Sequence, residues 1–249
     1  MVAGASIFLL SCSKDEMKVS NVSSEQKQLV TEFTATWCHV CGENGLPKTK
    51  ELEAKYPSKV IVIAAHSDNS FGINATNVAT DMSTFYGVTG IPSFAVGATE
   101  SQYSYNSVES DVNTFFSSNT IASAGIGISK SIDGTTMTIS TKTFFFKEST
   151  GKYNLAVYVT ENGVSYEQHR DTAPTIYTEV HNNILRGSAN GTWGVEIVPS
   201  TASKNQEIDG SYTFQIPSSV KSNDNLHVVA VIFKMVGGSP ESVLNVNAL

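Results

Sequence analysis

The sequence predicts an α/β half followed by an all-β half. Between residues 27 and 119, apolar β-branched runs alternate with stretches of helical spacing. From about residue 121 the helical spacing gives way to period-2 alternation punctuated by turn residues. With 249 residues, 40% of them hydrophobic, the chain is long enough to bury a core in each half.

The elements follow in order. Gln28–Thr34 reads as a β-branched strand. Leu46, Leu52 and Tyr56 fall near helical spacing and predict a helix from Cys41 to Tyr56, stopped by Pro57. Residues 60–65 are a continuous apolar run, the pattern of a strand buried on both faces. A helix over 76–86, a short strand over 93–97 and a helix over 107–116 complete the α/β layer. Beyond the Ser/Asn/Ala stretch at 117–123, Ile126 and Ile128 alternate, then Met137, Ile139 and Thr141, with a hairpin turn at Asp133-Gly134 between them. Tyr153, Leu155, Val157 and Val159 repeat the alternation, Asn162-Gly163 marks a turn, and residues 212–216 and 226–234 bring the count to at least six strands. Short punctuated strands of this kind predict a sandwich of the immunoglobulin-like type. The expected organisation is a leader and tether over 1–26, an α/β domain over 27–119 and a β-sandwich domain over 120–249.

Composition narrows the function. Charged residues are only 16% of the chain, while Ser and Thr number 32 and 24. A hydroxyl-rich, charge-poor surface fits an extracytoplasmic β-rich protein. The net charge of −7, without a Lys/Arg cluster, excludes a nucleic-acid binder, which needs positive charge against phosphate. No run of 18 apolar residues marks a membrane span. Three cysteines exclude a disulfide-scaffolded mini-protein. The first twelve residues carry an apolar stretch and end in Leu9-Leu10-Ser11-Cys12, which resembles a bacterial lipobox, though no positive n-region precedes it. The resemblance implies a lipid on Cys12 that anchors the protein to a membrane without a span. The polar Ser13-Lys14-Asp15-Glu16 that follows resembles the surface-export signal of Bacteroidetes lipoproteins, and residues 13–26 read as a tether.

The sharpest chemical signal is Trp37-Cys38-His39-Val40-Cys41, between a strand and a helix. Two cysteines three apart at a helix start bring their sulfurs within disulfide reach. Cys38, at the N-terminal end, meets unpaired N–H groups and the positive end of the helix dipole, which stabilise a thiolate. That makes it the attacking sulfur. Cys41, one turn in, is the resolving thiol, and protonated His39 adds to thiolate stabilisation. Other uses of the pair fit less well. A zinc site needs two more ligands, and no second cysteine pair exists; His39, His66 and His169 would have to converge. A c-type haem needs His after the second Cys, where Gly42 stands. A permanently oxidised structural disulfide stays open, although so small a ring closes little loop entropy. No cofactor or metal is implied. No Gly-x-Ser-x-Gly elbow points to a hydrolase.

The stretch from Leu29 to Cys38, together with Gly90-Ile91-Pro92-Ser93-Phe94, resembles the thioredoxin-like family. The resemblance implies that Glu32 is a buried carboxylate relaying the proton of Cys41. It implies that Pro92 is cis and lies against the disulfide. Trp37, His39, Ile91 and Pro92 would line a groove for a peptide, which pairs with the Ile91 backbone. The chain departs from the family in the His39-Val40 dipeptide, in its fused β half, and in a Cys38-to-Pro92 separation of 54 residues, longer than a minimal thioredoxin allows. The extra length falls in His66–Thr76. Over residues 12–249 the chain resembles the Omp28-related outer-membrane lipoproteins of Bacteroidetes, through Gln168, the run His181-Asn182-Asn183-Ile184-Leu185-Arg186, and Trp193-Gly194. That family implies a location in the cell envelope, periplasmic or surface-exposed, and supplies no substrate. His181 and Arg186 read as interdomain hydrogen-bonding groups, Trp193 as a core or interface anchor, His66 as a loop residue beside the site and His227 as structural.

Two functions fit these residues. One is a thiol–disulfide oxidoreductase acting on protein or peptide thiols and disulfides through Cys38, Cys41 and Glu32. The other is a non-catalytic binding or structural lipoprotein that presents both halves to an envelope partner and keeps its cysteines as a fixed disulfide.

Overall fold

A computed structural model describes residues 22–70, 73–98, 104–119 and 121–249. Cys12 and the leader lie outside the described residues. Strand β1 (Gln28–Thr34) leads into the cysteine motif, and the helix behind it continues as α1 (Leu46–Lys55). Then come β2 (Val60–His66), the short β3 (Asn69–Ser70) and β4 (Ile73–Asn74), α2 (Asn77–Phe85), β5 (Ser93–Val96) and α3 (Val108–Ser118). The second half is all strand: β6 (Ala124–Asp133), β7 (Thr136–Phe145), β8 (Ser149–Thr150), β9 (Lys152–Glu161), β10 (Val164–His169) and β11 (Ile176–His181). It ends with β12 (Ile184–Ser188), β13 (Val195–Val198), β14 (Thr201–Ala202), β15 (Glu207–Gln215), β16 (Leu226–Val236) and β17 (Ser239–Ala248).

The main sheet crosses the boundary expected at residues 119/120. Its strands run β17-β16-β9-β12-β2-β1-β5, with β13 also on β9. The join is parallel: Ile184 of β12 pairs with Ala64 of β2, and the Ala64 N–H donates to the Asn183 carbonyl at 2.8 Å. This corrects the expectation of a free-standing immunoglobulin-like sandwich. The reason is that β2 is buried along most of its length and is not an edge strand; β1 takes one side and β12 the other.

Three layers result. On β9, Leu155, Val157 and Val159 face the three-stranded sheet β15-β7-β6, whereas Ala156 and Tyr158 face α2. On β16, Val228, Ala230 and Ile232 take the first side, Val229, Val231 and Phe233 the second. Strands apolar on both faces are therefore covered on both. In the first half, Val30, Val62 and Phe94 pack under Leu52 of α1 and Val108 and Val112 of α3. Trp193 fills the α2 side, its ring 4.7 Å from Phe85 and 5.6 Å from Phe233 by centroid, which makes it a core anchor.

The helix after the motif begins at His39, not at Cys41, and its turn over Cys41–Gly45 is of the wide π type, with Leu46 N–H donating to the Cys41 carbonyl. Pro47 explains the widening: its ring would meet the carbonyl four residues back in a regular α-helix, and it has no N–H to donate. Arg186 makes a buried ion pair within the second half, Nε to Glu161 Oε2 at 2.7 Å, while Glu161 Oε1 accepts from the Lys221 N–H at 2.7 Å. It therefore braces β12 against β9.

Candidate functional site

β1 delivers the chain to a turn at Thr36-Trp37, after which Cys38 opens the helix. Cys38 and Cys41 form a disulfide with Cα atoms 5.2 Å apart. The Cys41 N–H points at Cys38 Sγ at 3.1 Å, the kind of donor that stabilises a thiolate when the bond is reduced. Cys41 is fully buried, and Cys38 keeps 7% of its surface. The Ile91 carbonyl oxygen lies 3.7 Å from Cys38 Sγ, and the Ile91–Pro92 peptide is cis. Trp37, 54% exposed, stands at the rim.

Glu32 is buried beneath the motif. Its Oε2 accepts from the Thr49 hydroxyl at 2.7 Å. Burial pushes its carboxyl above the ordinary range, against the opposing pull of the Thr49 hydroxyl and of His66. The stretch after β2 supplies Asp68, a residue the sequence did not single out. Asp68 accepts from the Thr36 N–H at 3.0 Å and the Thr36 hydroxyl at 2.6 Å, and faces His66 Nδ1 at 2.8 Å. Burial raises the Asp68 pKa, but these hydrogen bonds outweigh it and hold the carboxyl below its usual range. Asp68 therefore ties down the turn just before Cys38.

The larger surprise comes from the second half. β9 and β12 lie side by side in the main sheet, and the chain between them continues outward as the ribbon β10–β11. This arm folds across the cysteine motif. Gln168 is buried, and its Nε2 sits among carbonyl oxygens, at 3.0 Å from Thr36, 3.2 Å from Cys38 and 3.0 Å from His169. An amide has two hydrogens, so these bonds are shared. The His169 N–H donates to the Thr36 carbonyl at 2.8 Å. The arm comes so close that a Cβ at Gly42 would stand 2.1 Å from the His169 carbonyl oxygen. At its tip, Asp171 Oδ1 lies 3.1 Å from His39 Nδ1, His169 Nδ1 lies 3.4 Å from His39 Nε2, and the Thr172 hydroxyl donates to Glu43 at 2.9 Å. His39 is thus turned toward the arm. His181, at the arm's base, is buried and stacks edge-on to His66 with centroids 5.8 Å apart. Burial, helped by His66, pushes its pKa down to about 4.

The fold thus gathers Cys38, Cys41, Glu32, Ile91, Pro92, Trp37 and His39 at one place, joined by His66, Gln168 and His181. Arg186, Trp193 and His227 lie elsewhere. His39 and His169 meet but His66 does not join them, and among the described residues no group of three His, Cys, Asp or Glu side chains is set to hold a metal. Nor is any described helix long and apolar enough to cross a membrane. The signal that could have revealed the arm is glycine: Gly42 and Gly45 occupy a helical turn, each at about 1 kcal/mol relative to Ala.

The model of the family described as outer membrane protein Omp28 matches residues 79–249, more than half of the sequence. The chain belongs to the Omp28 family. The match takes in Pro92, Gln168, His181, Arg186 and Trp193 and begins after the cysteine motif. Among solved structures, HBP35 of Porphyromonas gingivalis is similar in fold, with a TM-score of 0.67 and 15% identity over 91% of this chain and 76% of that one. The sporulation control protein Spo0M of Bacillus subtilis overlaps only weakly, with a TM-score of 0.30 and 12% identity over 52% of this chain and 47% of that one. No curated protein matches the sequence.

Two outcomes test this site. Gly42→Ala sets a methyl against a backbone carbonyl, costing about 1–3 kcal/mol, and lifts the arm. Iodoacetamide should then alkylate Cys38 of the reduced variant about tenfold faster than in the wild type, as expected when a buried thiol gains exposure; an unchanged rate would contradict the covering role of the arm. Glu32 tests the buried carboxyl. Because its folded pKa lies above the unfolded one, stability is retained below the unfolded value and lost as pH rises through the folded one. Glu32→Gln removes that loss. Thermal midpoints should coincide below pH 4, and the variant's should be the higher at pH 8, by about 2–4 °C per kcal/mol relieved.

Proposed function

We propose that this Omp28-family chain is an extracytoplasmic thiol–disulfide oxidoreductase of the thioredoxin-like type. It is held at the outer membrane by a lipid on Cys12 and acts on protein or peptide thiols and disulfides. The observation that carries this reading is the juxtaposition at Cys38. Its sulfur sits at a helix start, faces the Cys41 N–H at 3.1 Å and the Ile91 carbonyl at 3.7 Å, and has the buried Glu32 beneath it. A structural disulfide has no need of a buried carboxyl in the same site.

The chemistry is thiol–disulfide exchange. In the reduced pair, the Cys38 thiolate attacks a substrate disulfide; one substrate sulfur leaves as a thiolate, and the other stays bonded to Cys38. Cys41, its proton passed to Glu32, then attacks Cys38 Sγ and releases the second substrate thiolate. The substrate gains two electrons and the pair loses them; the reverse sequence oxidises a dithiol. Ile91 offers its backbone to the substrate strand, and Trp37 and Val40 give exposed apolar flanks.

A second reading has one observation in its favour. Cys38 is 93% covered, with the arm clasped over the motif through Gln168. A fixed disulfide in a binding or structural envelope lipoprotein would look the same. Trapping separates the two. The reduced Cys41→Ser variant, mixed with insulin, should accumulate a mixed disulfide through Cys38, visible on a non-reducing gel. Cys38→Ser should form roughly a tenth as much or less, since the thiolate is the nucleophile. Absence of an adduct from both variants would favour the second reading.

A further inference from the structure

Beside Glu32 lies a chamber of about 20 Å³ lined also by Thr34, Thr49, His66, Gln168 and His181. That is room for one water. Two buried polar atoms in its lining have no hydrogen-bond partner in the protein: Glu32 Oε1 and His181 Nε2. Both residues are more than nine-tenths buried. Polar atoms left so are costly unless a water joins them. Lys50 and Asn182, which also border the chamber, are exposed, so its outer end approaches solvent.

We propose that His181 is the positioning residue through which Glu32 exchanges its proton with solvent, by way of a water held in this chamber. The proposal rests on the oxidoreductase reading. When a substrate thiolate attacks Cys38, the Cys38–Cys41 bond breaks and Cys41 leaves as a thiolate, which takes the proton of Glu32. A second substrate thiolate attacks the substrate sulfur bound to Cys38 and releases Cys38. The substrate dithiol is oxidised by two electrons and the pair reduced by two. Glu32 is left ionised and regains its proton from water through the chamber and His181. In the opposite direction the proton leaves by the same route.

The surroundings suit a relay. Burial, His66 and Lys50 push His181 down and Glu179 and Asp68 pull it up, for a pKa of about 4, so at neutral pH its ring is uncharged. Glu32 is pushed up by burial and by Glu53, against Thr49, His66 and Thr34. Burial thus shifts the carboxyl and the imidazole each away from its charged form, and their unpaired atoms, Glu32 Oε1 and His181 Nε2, border the same water-sized chamber. His66 is engaged by Asp68 at 2.8 Å and holds the edge of the His181 ring. The arm thereby contributes a proton path as well as a cover.

The test is turnover with dithiothreitol as reductant and oxidised glutathione as the disulfide. His181→Ala should lower kcat about tenfold with KM unchanged, less than the roughly 10²–10⁴ of a group acting directly. Added imidazole should restore the rate in this variant and leave the wild type unmoved. His181→Gln keeps a hydrogen-bonding group in the chamber but passes no proton, and should show the same loss, which guards against a folding defect in the alanine variant. Wild-type turnover in His181→Gln, or a loss in His181→Ala that imidazole does not repair, would overturn the relay and leave the oxidoreductase reading standing. A wild-type protein without turnover would overturn both.

Discussion

The side-chain amide of Gln168 holds the site together. Thr36 and Cys38 lie in the turn between β1 and the helix, where their carbonyls have no strand partner and little water. Buried backbone oxygens need a donor. Gln168 supplies one to Thr36 and adds a second to Cys38, whose carbonyl also accepts the Gly42 N–H, and the neighbouring His169 N–H adds another to Thr36. Much else follows from that requirement. The arm must reach the motif, so β9 and β12, which carry it, must lie close to β2. The pairing of β12 with β2 achieves this and welds the two halves into one sheet. The arm's backbone must touch the helix, so residue 42 must be glycine.

The same clasp shapes the chemistry. It leaves Cys38 a small opening between Trp37 and Ile91 and buries Cys41. Asp68, just after β2, fixes the other side of the same turn through Thr36. Cys38 is therefore held from both sides by residues distant in sequence, with Glu32 below.

Much of the frame was legible in the residues. The runs at 28–34 and 60–65 are apolar enough to announce β1 and β2, and the Cys-x-x-Cys pair after a strand announces the site. The arm was not legible, because β10 reads Val-Ser-Tyr-Glu-Gln-His: only Val164, beside Ile73 and Ile184, and Gln168, against the turn backbone, are buried. The contact that reaches the motif, through Gln168, is polar, and hydrophobic periodicity is blind to that. β12 was hidden for a related reason. Ile-Leu-Arg-Gly-Ser breaks an apolar pattern with an arginine that the fold buries against Glu161. Asp68 looked like any loop aspartate, since its partners Thr36 and His66 become neighbours only once β1 and β2 pair. The single boundary near residue 119 was a true change of grammar, from mixed to all-β, but strands on its two sides share a sheet. Composition changes where local structure changes, whereas sheet pairing ignores the order of the chain.

The central claim is that the Cys38–Cys41 bond is exchanged and is not merely structural. The most direct measurement is its reduction potential, obtained by equilibrating the protein in glutathione buffers and counting alkylated thiols. The account predicts a value between about −270 and −120 mV, the range of working oxidoreductases. A value below about −300 mV, that of a structural disulfide, would contradict it.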